Sequence, residues 1–312
     1  GAFAAANGVL FEGFLNPKLL GQSFRKGWQI SGVGNLRDTR FKTEEFEKAY
    51  RELLELGVVN SQTQIGDLKN LLRDVNFGDS ILDLDKVVNP MLSKLKKVPE
   101  YLQGKYVAED DFWKITNYFV ENSRRKKAYA NAGIQMSDDA IKKEAAEIVR
   151  NTVPNYAYVG DIVRTARILP VGNFMSFPSE IIRTTSNIGS QIIKELKHIP
   201  QSGVKIRGSN ITPMVMEVLQ DGTTRTVRNN NPMYGIGVQR AIGMATTLTI
   251  VPTATVEGAK LFYDVTEDEI AALRQFVPEW SKNSTLVPVR DDNTGELKYI
   301  DFSHSNAYDV IA

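Results

Sequence analysis

Apolar residues recur at three- and four-residue multiples through most of the first two-thirds of the chain, and β-rich runs appear only in the last third. Phe46, Tyr50, Leu53 and Leu54 form one such stripe, with Thr43 as N-cap, Glu44 and Glu45 in the first turn and Gly57 as the stop. Ile65, Leu68, Leu71, Leu72 and Val75 repeat it up to Gly78. A third helix is expected from Asp79 or Ser80 through Leu84, Val87, Val88, Met91 and Leu95. Pro90 kinks or breaks it, and Lys94, Lys96 and Lys97 close it before Pro99. A long helix then opens at Tyr106 and reaches about Ala130, acidic at its start and basic at its end, as the helix dipole favours. Ser137 caps a helix over Asp138 to Val149, which Pro154 ends. Ahead of all these, Gly1 to Leu20 is small and apolar, suited to pack as a helix against a neighbour. Gly21 to Phe41, punctuated by Gly27, Gly32 and Gly34, is expected to be mostly loop.

The centre of the chain, Asn151 to Ile199, is expected to be a helix–corner–helix. A short basic helix, Gly160 to Leu169, carries Arg164 and Arg167. Pro170 to Phe174 turns the corner, Ser176-Phe177-Pro178 closes it, and a long helix runs from about Ser179 to His198. Pro178 is placed at the first helical position, where its missing N–H is unpaired anyway. Ile181, Ile188, Ile192 and Leu196 form the apolar stripe. Lys194, Lys197 and His198 load the last turn, and Pro200 with Gly203 stops it. Two Phe between Pro and Gly make the corner a packing device, because such rings are too large to leave in water.

Beyond it, Met214 to Gln220, Asp221-Gly222 and Thr223 to Arg228 spell a β-hairpin. A second hairpin is expected from Thr285 to Arg290 and Glu296 to Phe302, joined at Asp291 to Gly295. That turn resembles a calcium loop only superficially, since its glycine is misplaced and the closing Glu is missing. Thr266 to Glu269 is a capping box for a short helix through Ile270, Leu273 and Phe276, stopped by Pro278. Between the hairpins, Gly235 to Ala259 is rich in Gly, Ala and Thr, and uncharged from Ala241 to Val256. It is expected to be a buried core helix packed closely through small residues. The alternative is a membrane-active segment that inserts only after a conformational change.

The fold class is therefore mainly α, an elongated or multi-helix assembly with two short β-hairpins in the C-terminal third. Three regions are drawn: 1–153 helical, 154–200 the organising helix–corner–helix, and 201–312 the hairpins and the small-residue helix. Composition adds mostly exclusions. The 38 basic and 37 acidic side chains leave a net charge of +1, which makes no global electrostatic case for nucleic acid or an anionic membrane. Cysteine is absent, so disulfides, thiolate chemistry and zinc–thiolate sites are excluded. Of the two histidines, His198 reads as a surface residue complementing a helix C-terminus and His304 as a polar-loop residue. The chain opens Gly1-Ala2-Phe3 with neither an initiator Met nor a signal peptide. Either its N-terminus was processed or it is a segment of a longer polypeptide, the segment being favoured.

Candidate chemistry is sparse. Gly235-Ile236-Gly237 follows a loop rather than a strand, and no P-loop, G-x-S-x-G, H-E-x-x-H or Cys–His pattern occurs. Acid pairs such as Asp110-Asp111 and Asp138-Asp139 sit at helix starts, where capping explains them. No catalytic, cofactor or metal residues are assigned. The basic run Arg124, Arg125, Lys126 and Lys127 reads as a solvated helix end. Its alternative is a phosphate-contacting patch, which with Arg164 and Arg167 would make a nucleic-acid-binding module.

Asn155-Tyr156, Val163-Arg164-Thr165-Ala166-Arg167-Ile168-Leu169-Pro170, Gly172-Asn173-Phe174 and Phe177-Pro178-Ser179-Glu180-Ile181-Ile182-Arg183-Thr184 together carry a resemblance. They look like a segment of the large internal, DNA-ejection proteins of short-tailed phages and related polyvalent proteins. Tyr106 to Ile115 and Leu286-Val287-Pro288 to Ser303 add to it, so the resemblance spans about Tyr106 to Tyr308. It implies a non-enzymatic virion protein, packaged in the capsid and released with the DNA, located in the virion and then in the host envelope. Its implied partners are other copies of itself and other virion proteins (portal, tail or core), with genomic DNA and a transient host-membrane contact as further candidates. Arg164, Arg167, Phe174, Phe177 and Arg183 are the expected packing anchors and intersubunit contacts. No cofactor is implied.

Overall fold

The computed structural model describes residues 2–31, 44–59, 97–154, 173–278, 284–291 and 294–301, with side chains omitted for 97–109, 173–179 and 251. The expected helices over 65–75, 79–95 and 160–169, the first part of the corner at 170–172, Arg164, Arg167 and His304 lie outside these residues. The fold is mainly α, with two small antiparallel sheets.

Three helices open the chain: α1 (Ala2–Ala6), α2 (Val9–Leu15) and α3 (Pro17–Ser31). The expected loop after Gly21 is thus helix as far as Ser31. The reason is a seam of small residues rather than apolar ones: Ser23, Gly27 and Ser31 are buried along one face beside Ile30. A Cβ on Gly27 would lie 2.4 Å from the Thr116 hydroxyl, so glycine is what lets this helix close on its neighbour. That neighbour is α5 (Lys97–Asn131), reached after α4 (Glu44–Glu55). Helix α5 starts well before the expected Tyr106, and Pro99 sits inside its first turn, where a missing N–H costs no backbone bond. Helix α6 (Asp138–Thr152) follows, with the Ser137 hydroxyl accepting from the Ala140 N–H at 3.2 Å. Ile30, Tyr50, Leu53, Ile115, Tyr118, Ala145 and Val149 unite α3 to α6 in one core.

Helix α7 (Asn173–Leu196) begins inside the expected corner. Asn173, Phe174, Phe177 and Pro178 are helical, and Pro178 stands in the second turn rather than at the first position. A proline so near a helix start removes one backbone bond, which a helix of 24 residues sustains. The expected stripe is present: Ile181 and Ile188 are fully buried, and Ile192 packs against their cluster with Phe3 and Ala6 of the N-terminal helices.

The next elements are β1 (Lys205–Arg207), β2 (Met214–Val218) and β3 (Thr224–Arg228), in the antiparallel order β1-β2-β3. The Asp-Gly hairpin forms as expected, with Gly222 at φ 82° and the Asp221 carboxylate accepting from the Thr223 N–H at 2.9 Å. Strand β1, too short to show an alternating pattern, was not foreseen.

The small-residue run is a helix in three parts: α8 (Tyr234–Ala245), a π-helical turn (Thr246–Ile250) and α9 (Val251–Tyr263). Its first part is the expected buried helix. Gly243 of α8 meets the α1–α2 junction so closely that a Cβ would lie 2.4 Å from the Ala5 carbonyl oxygen, and Gly8 returns the fit, with its own Cβ position 2.7 Å from the Gln239 carbonyl oxygen. The widened turn precedes Pro252, whose ring would otherwise collide with the carbonyl four residues back. The Thr247 and Thr249 hydroxyls donate to the Gly243 and Ala245 carbonyls at 2.8 and 2.7 Å. Its last part is not a core helix: α9 packs one side on β4 and leaves Leu261 and Phe262 85% and 80% exposed. Helix α10 (Glu267–Phe276) carries the expected capping box, with Ile270 buried but Phe276 exposed instead of completing the stripe. Strands β4 (Leu286–Arg290) and β5 (Leu297–Asp301) form the second hairpin, with Leu286 opposite Asp301 and Arg290 opposite Leu297. Among the described residues no helix is long and apolar enough to cross a membrane.

Candidate functional site

Where α1, α5, α6, α7 and α8 converge, charge replaces hydrocarbon. Arg240 of α8 is fully buried, and its guanidinium spans three helices. Nε donates to Glu195 on α7 at 3.0 Å, Nη1 to the Asn7 side-chain oxygen at 2.5 Å, and Nη2 to both Glu121 carboxylate oxygens on α5 at 3.0 Å. Arg125 repeats the motif from the other side: Nε donates to Glu121 at 2.8 Å and Nη1 to Glu144 of α6 at 2.7 Å, while Nη2 pairs with Glu195. Arg124 donates through Nε to Glu121 at 2.9 Å and through Nη2 to the Asn7 carbonyl at 3.1 Å.

Three guanidinium groups therefore share Glu121 and Glu195, both 2% exposed, with Glu144 as the third, half-buried carboxylate. The formal charges cancel. That balance is a physical requirement, because an unpaired buried charge costs several kcal/mol. Burial alone would raise the Glu121 carboxyl, but Arg124, Arg240 and Arg125 outweigh it and hold it well below the usual carboxylate range. Burial opposes the charge on Arg240 too, yet Glu121 and Glu195 raise it above the ordinary arginine value. For Arg124 burial wins, and its guanidinium is lowered despite Glu121. Glu121 is thus anchored in its charged state, and the Glu195 and Glu144 carboxylates are occupied by donors. Such a cluster clamps helices together.

Beside the cluster a polar cleft of about 570 Å³ opens between α6 and α7, with Arg125 and Glu195 on its floor and Asn151, Asn187 and Lys194 on its walls. Arg183 lies near its edge, paired with Glu180 at 2.8 Å and donating to the Asn151 carbonyl at 3.3 Å, where the Asn187 amide also donates at 2.9 Å. A second buried polar node closes the far end of α7. His198, expected on the surface, is 2% exposed: its Nε2 bonds Glu217 of β2 at 2.8 Å and its Nδ1 accepts the Asn230 N–H at 3.3 Å. Glu217 takes a second bond from Arg225 at 2.8 Å and is lowered first by His198 and then by Arg225. The histidine tethers the first sheet to the helix, because the chain doubles back over it after Pro200.

The expected basic patch is divided by the structure. Arg124 and Arg125 are buried in the cluster, so neither is a solvated helix end and neither faces a phosphate in solution. Lys126 and Lys127 are exposed, and Lys126 pairs with Asp138 at 2.8 Å. Arg183 packs between helices. Phe174 and Phe177 lie on α7, but their side chains are outside the described residues. Glu121, Glu195, Arg240 and Asn7 were not singled out from sequence. The available signal was a charge on an apolar face: Glu195 falls between Ile192 and Leu196, and Arg240 interrupts a small, apolar run. Among the described residues no group of three or more His, Asp or Glu side chains could hold a metal ion. Comparisons with protein-family models, with curated proteins and with solved structures return no match to this chain.

Proposed function

We propose that the chain is a non-enzymatic segment of a phage virion protein, of the internal kind that is packaged with the genome and released with it. Its work is virion assembly and delivery of DNA across the host envelope. The observation that carries this reading is the sequence Val163 to Pro170, Gly172 to Phe174 and Phe177 to Thr184, which resembles such proteins. The fold is compatible with it: a helical scaffold locked by buried charge is suited to mechanical and assembly work. Arg164, Arg167, Phe174, Phe177 and Arg183 are proposed to fix this segment against other virion subunits.

The test is mass spectrometry of purified particles from cells infected by the phage that encodes this sequence, with an unbiased peptide search. Peptides of the chain at fixed stoichiometry to a portal or tail protein support the reading. Their confinement to the infected-cell lysate, with none in particles, overturns it.

A further inference from the structure

Two surfaces far apart in the sequence are each apolar and opposite in charge. On α3, Phe24 and Trp28 pack with Phe112 of α5 in tilted and edge-on ring contacts, centroids 5.8 and 6.2 Å apart, and line an open apolar cleft of about 470 Å³ with Arg25 and Gln29. Trp28 is 53% exposed. Helix α3 carries Lys18, Arg25 and Lys26 and no acid. The acids beside Phe112 are already committed, Asp110 to Lys114 at 2.6 Å and Asp111 to the Tyr50 hydroxyl at 3.0 Å. The cleft is therefore aromatic with Arg25 in its lining and the exposed Lys18 on the same helix, while Lys26 lies over the Phe119 ring at 4.6 Å.

The other surface is the end of α9, where Leu261 and Phe262 project almost fully into solvent. Phe262 is braced edge-on by Tyr263, with centroids 4.9 Å apart. The sequence around them, Glu257 to Glu269, holds five acids (Glu257, Asp264, Glu267, Asp268, Glu269) and one base, Lys260. Lys260 is taken by Glu257 and Glu267, and Glu269 by Arg290. The exposed Asp264 and Asp268 side chains form no ion pair among the described residues. This is an apolar knob in an acidic setting.

We propose that the Leu261–Phe262 knob of one copy of this chain docks into the Phe24–Trp28–Phe112 cleft of a second copy, with Asp264 and Asp268 facing Arg25 and Lys18. Hydrophobic burial supplies the affinity and the opposed charges fix the register. Knob and cleft are different patches, and we take the contact as head-to-tail: a joined pair keeps one free cleft on one copy and one free knob on the other, and assembly proceeds to a ring or a filament rather than stopping at a dimer. The acidic setting also disfavours an anionic membrane as the occupant. This contact is independent of where the chain works, and its test does not involve particles.

Sedimentation velocity of the full 312-residue chain over a concentration series reads the contact directly. The wild type is expected to grow in size with concentration, and Phe262→Asp to weaken that growth at least about tenfold. Charge reversal of the cleft (Lys18→Glu with Arg25→Glu) and of the knob (Asp264→Arg with Asp268→Arg) should each leave a monomer. Mixing the two reversed variants should restore assembly, because each then offers a patch complementary to the other. These side chains are exposed, and unchanged circular dichroism confirms that the variants fold. A wild type that stays monomeric at its solubility limit overturns the proposal. So does association that survives both reversals, or reversed variants that do not complement. Phe262-dependent binding to phosphatidylcholine–phosphatidylglycerol vesicles by a monomeric wild type would also overturn it, in favour of a lipid surface.

Discussion

Arg240 is the residue on which the helical convergence depends, since among the described residues it alone bonds Asn7, Glu121 and Glu195 together. Arg240→Met would leave two buried carboxylates with Arg124 and Arg125 as their remaining cationic partners in the cluster. Breaking a buried network by removing one partner costs about 3–5 kcal/mol. The urea midpoint should therefore fall sharply, while Lys126→Ala, which breaks an exposed pair with Asp138, should leave it nearly unchanged. Comparable midpoints for the two variants would contradict this account of the cluster. The pH dependence follows from Glu121. Its folded carboxyl lies below the ordinary value of 4.5, so the stability it contributes is fully present above that value and is lost as pH falls toward the depressed folded one. Wild-type stability should accordingly decline below about pH 4.5 with a steeper slope than that of a Glu121→Gln variant, measured by urea unfolding at stepped pH. Equal slopes would mean that Glu121 is not held in its charged state by the arginines.

At the scale of elements, close approach matters as much as hydrophobic patterning. Gly243→Val would drive side-chain atoms into the Ala5 carbonyl and the Gly8 backbone, an overpacking that costs about 1–3 kcal/mol. The damage should be local, so hydrogen exchange is expected to accelerate in residues 2–15 before it does in α5. Uniform acceleration would show that α1 and α2 are not a separately released layer. Thr266→Ala, which removes the capping box of α10, should cost about 1 kcal/mol and free the first amides of that helix to exchange. These same elements show what was legible in sequence. The Asp-Gly hairpin, the α10 capping box, the Ser137 cap of α6 and the α4 and α7 stripes were readable because their cause is local: a turn residue, a cap, a period. Helix α3 was not, because Ser23 and Gly27 form its contact face, and a small-residue seam gives no hydrophobic period. The ion cluster was not, because its partners lie far apart in sequence: Asn7 and Arg240 are 233 positions apart. His198 looked exposed because nothing local announces that a later strand returns over a helix end.

For the whole molecule, the clamp and the proposed role suggest one order of events. A segment packaged with a genome must keep its shape in the particle and leave with the DNA, and a scaffold that adds a buried charge clamp to its apolar core is consistent with both. The central claim is the departure. Quantitative mass spectrometry should compare full particles with the same particles emptied in vitro by their receptor, normalised to the major capsid protein. Peptides of this chain are expected in full particles and are expected to be lost from emptied ones, with portal peptides retained. Equal amounts before and after emptying would contradict it, because a component that stays behind in the emptied shell is not delivered with the genome.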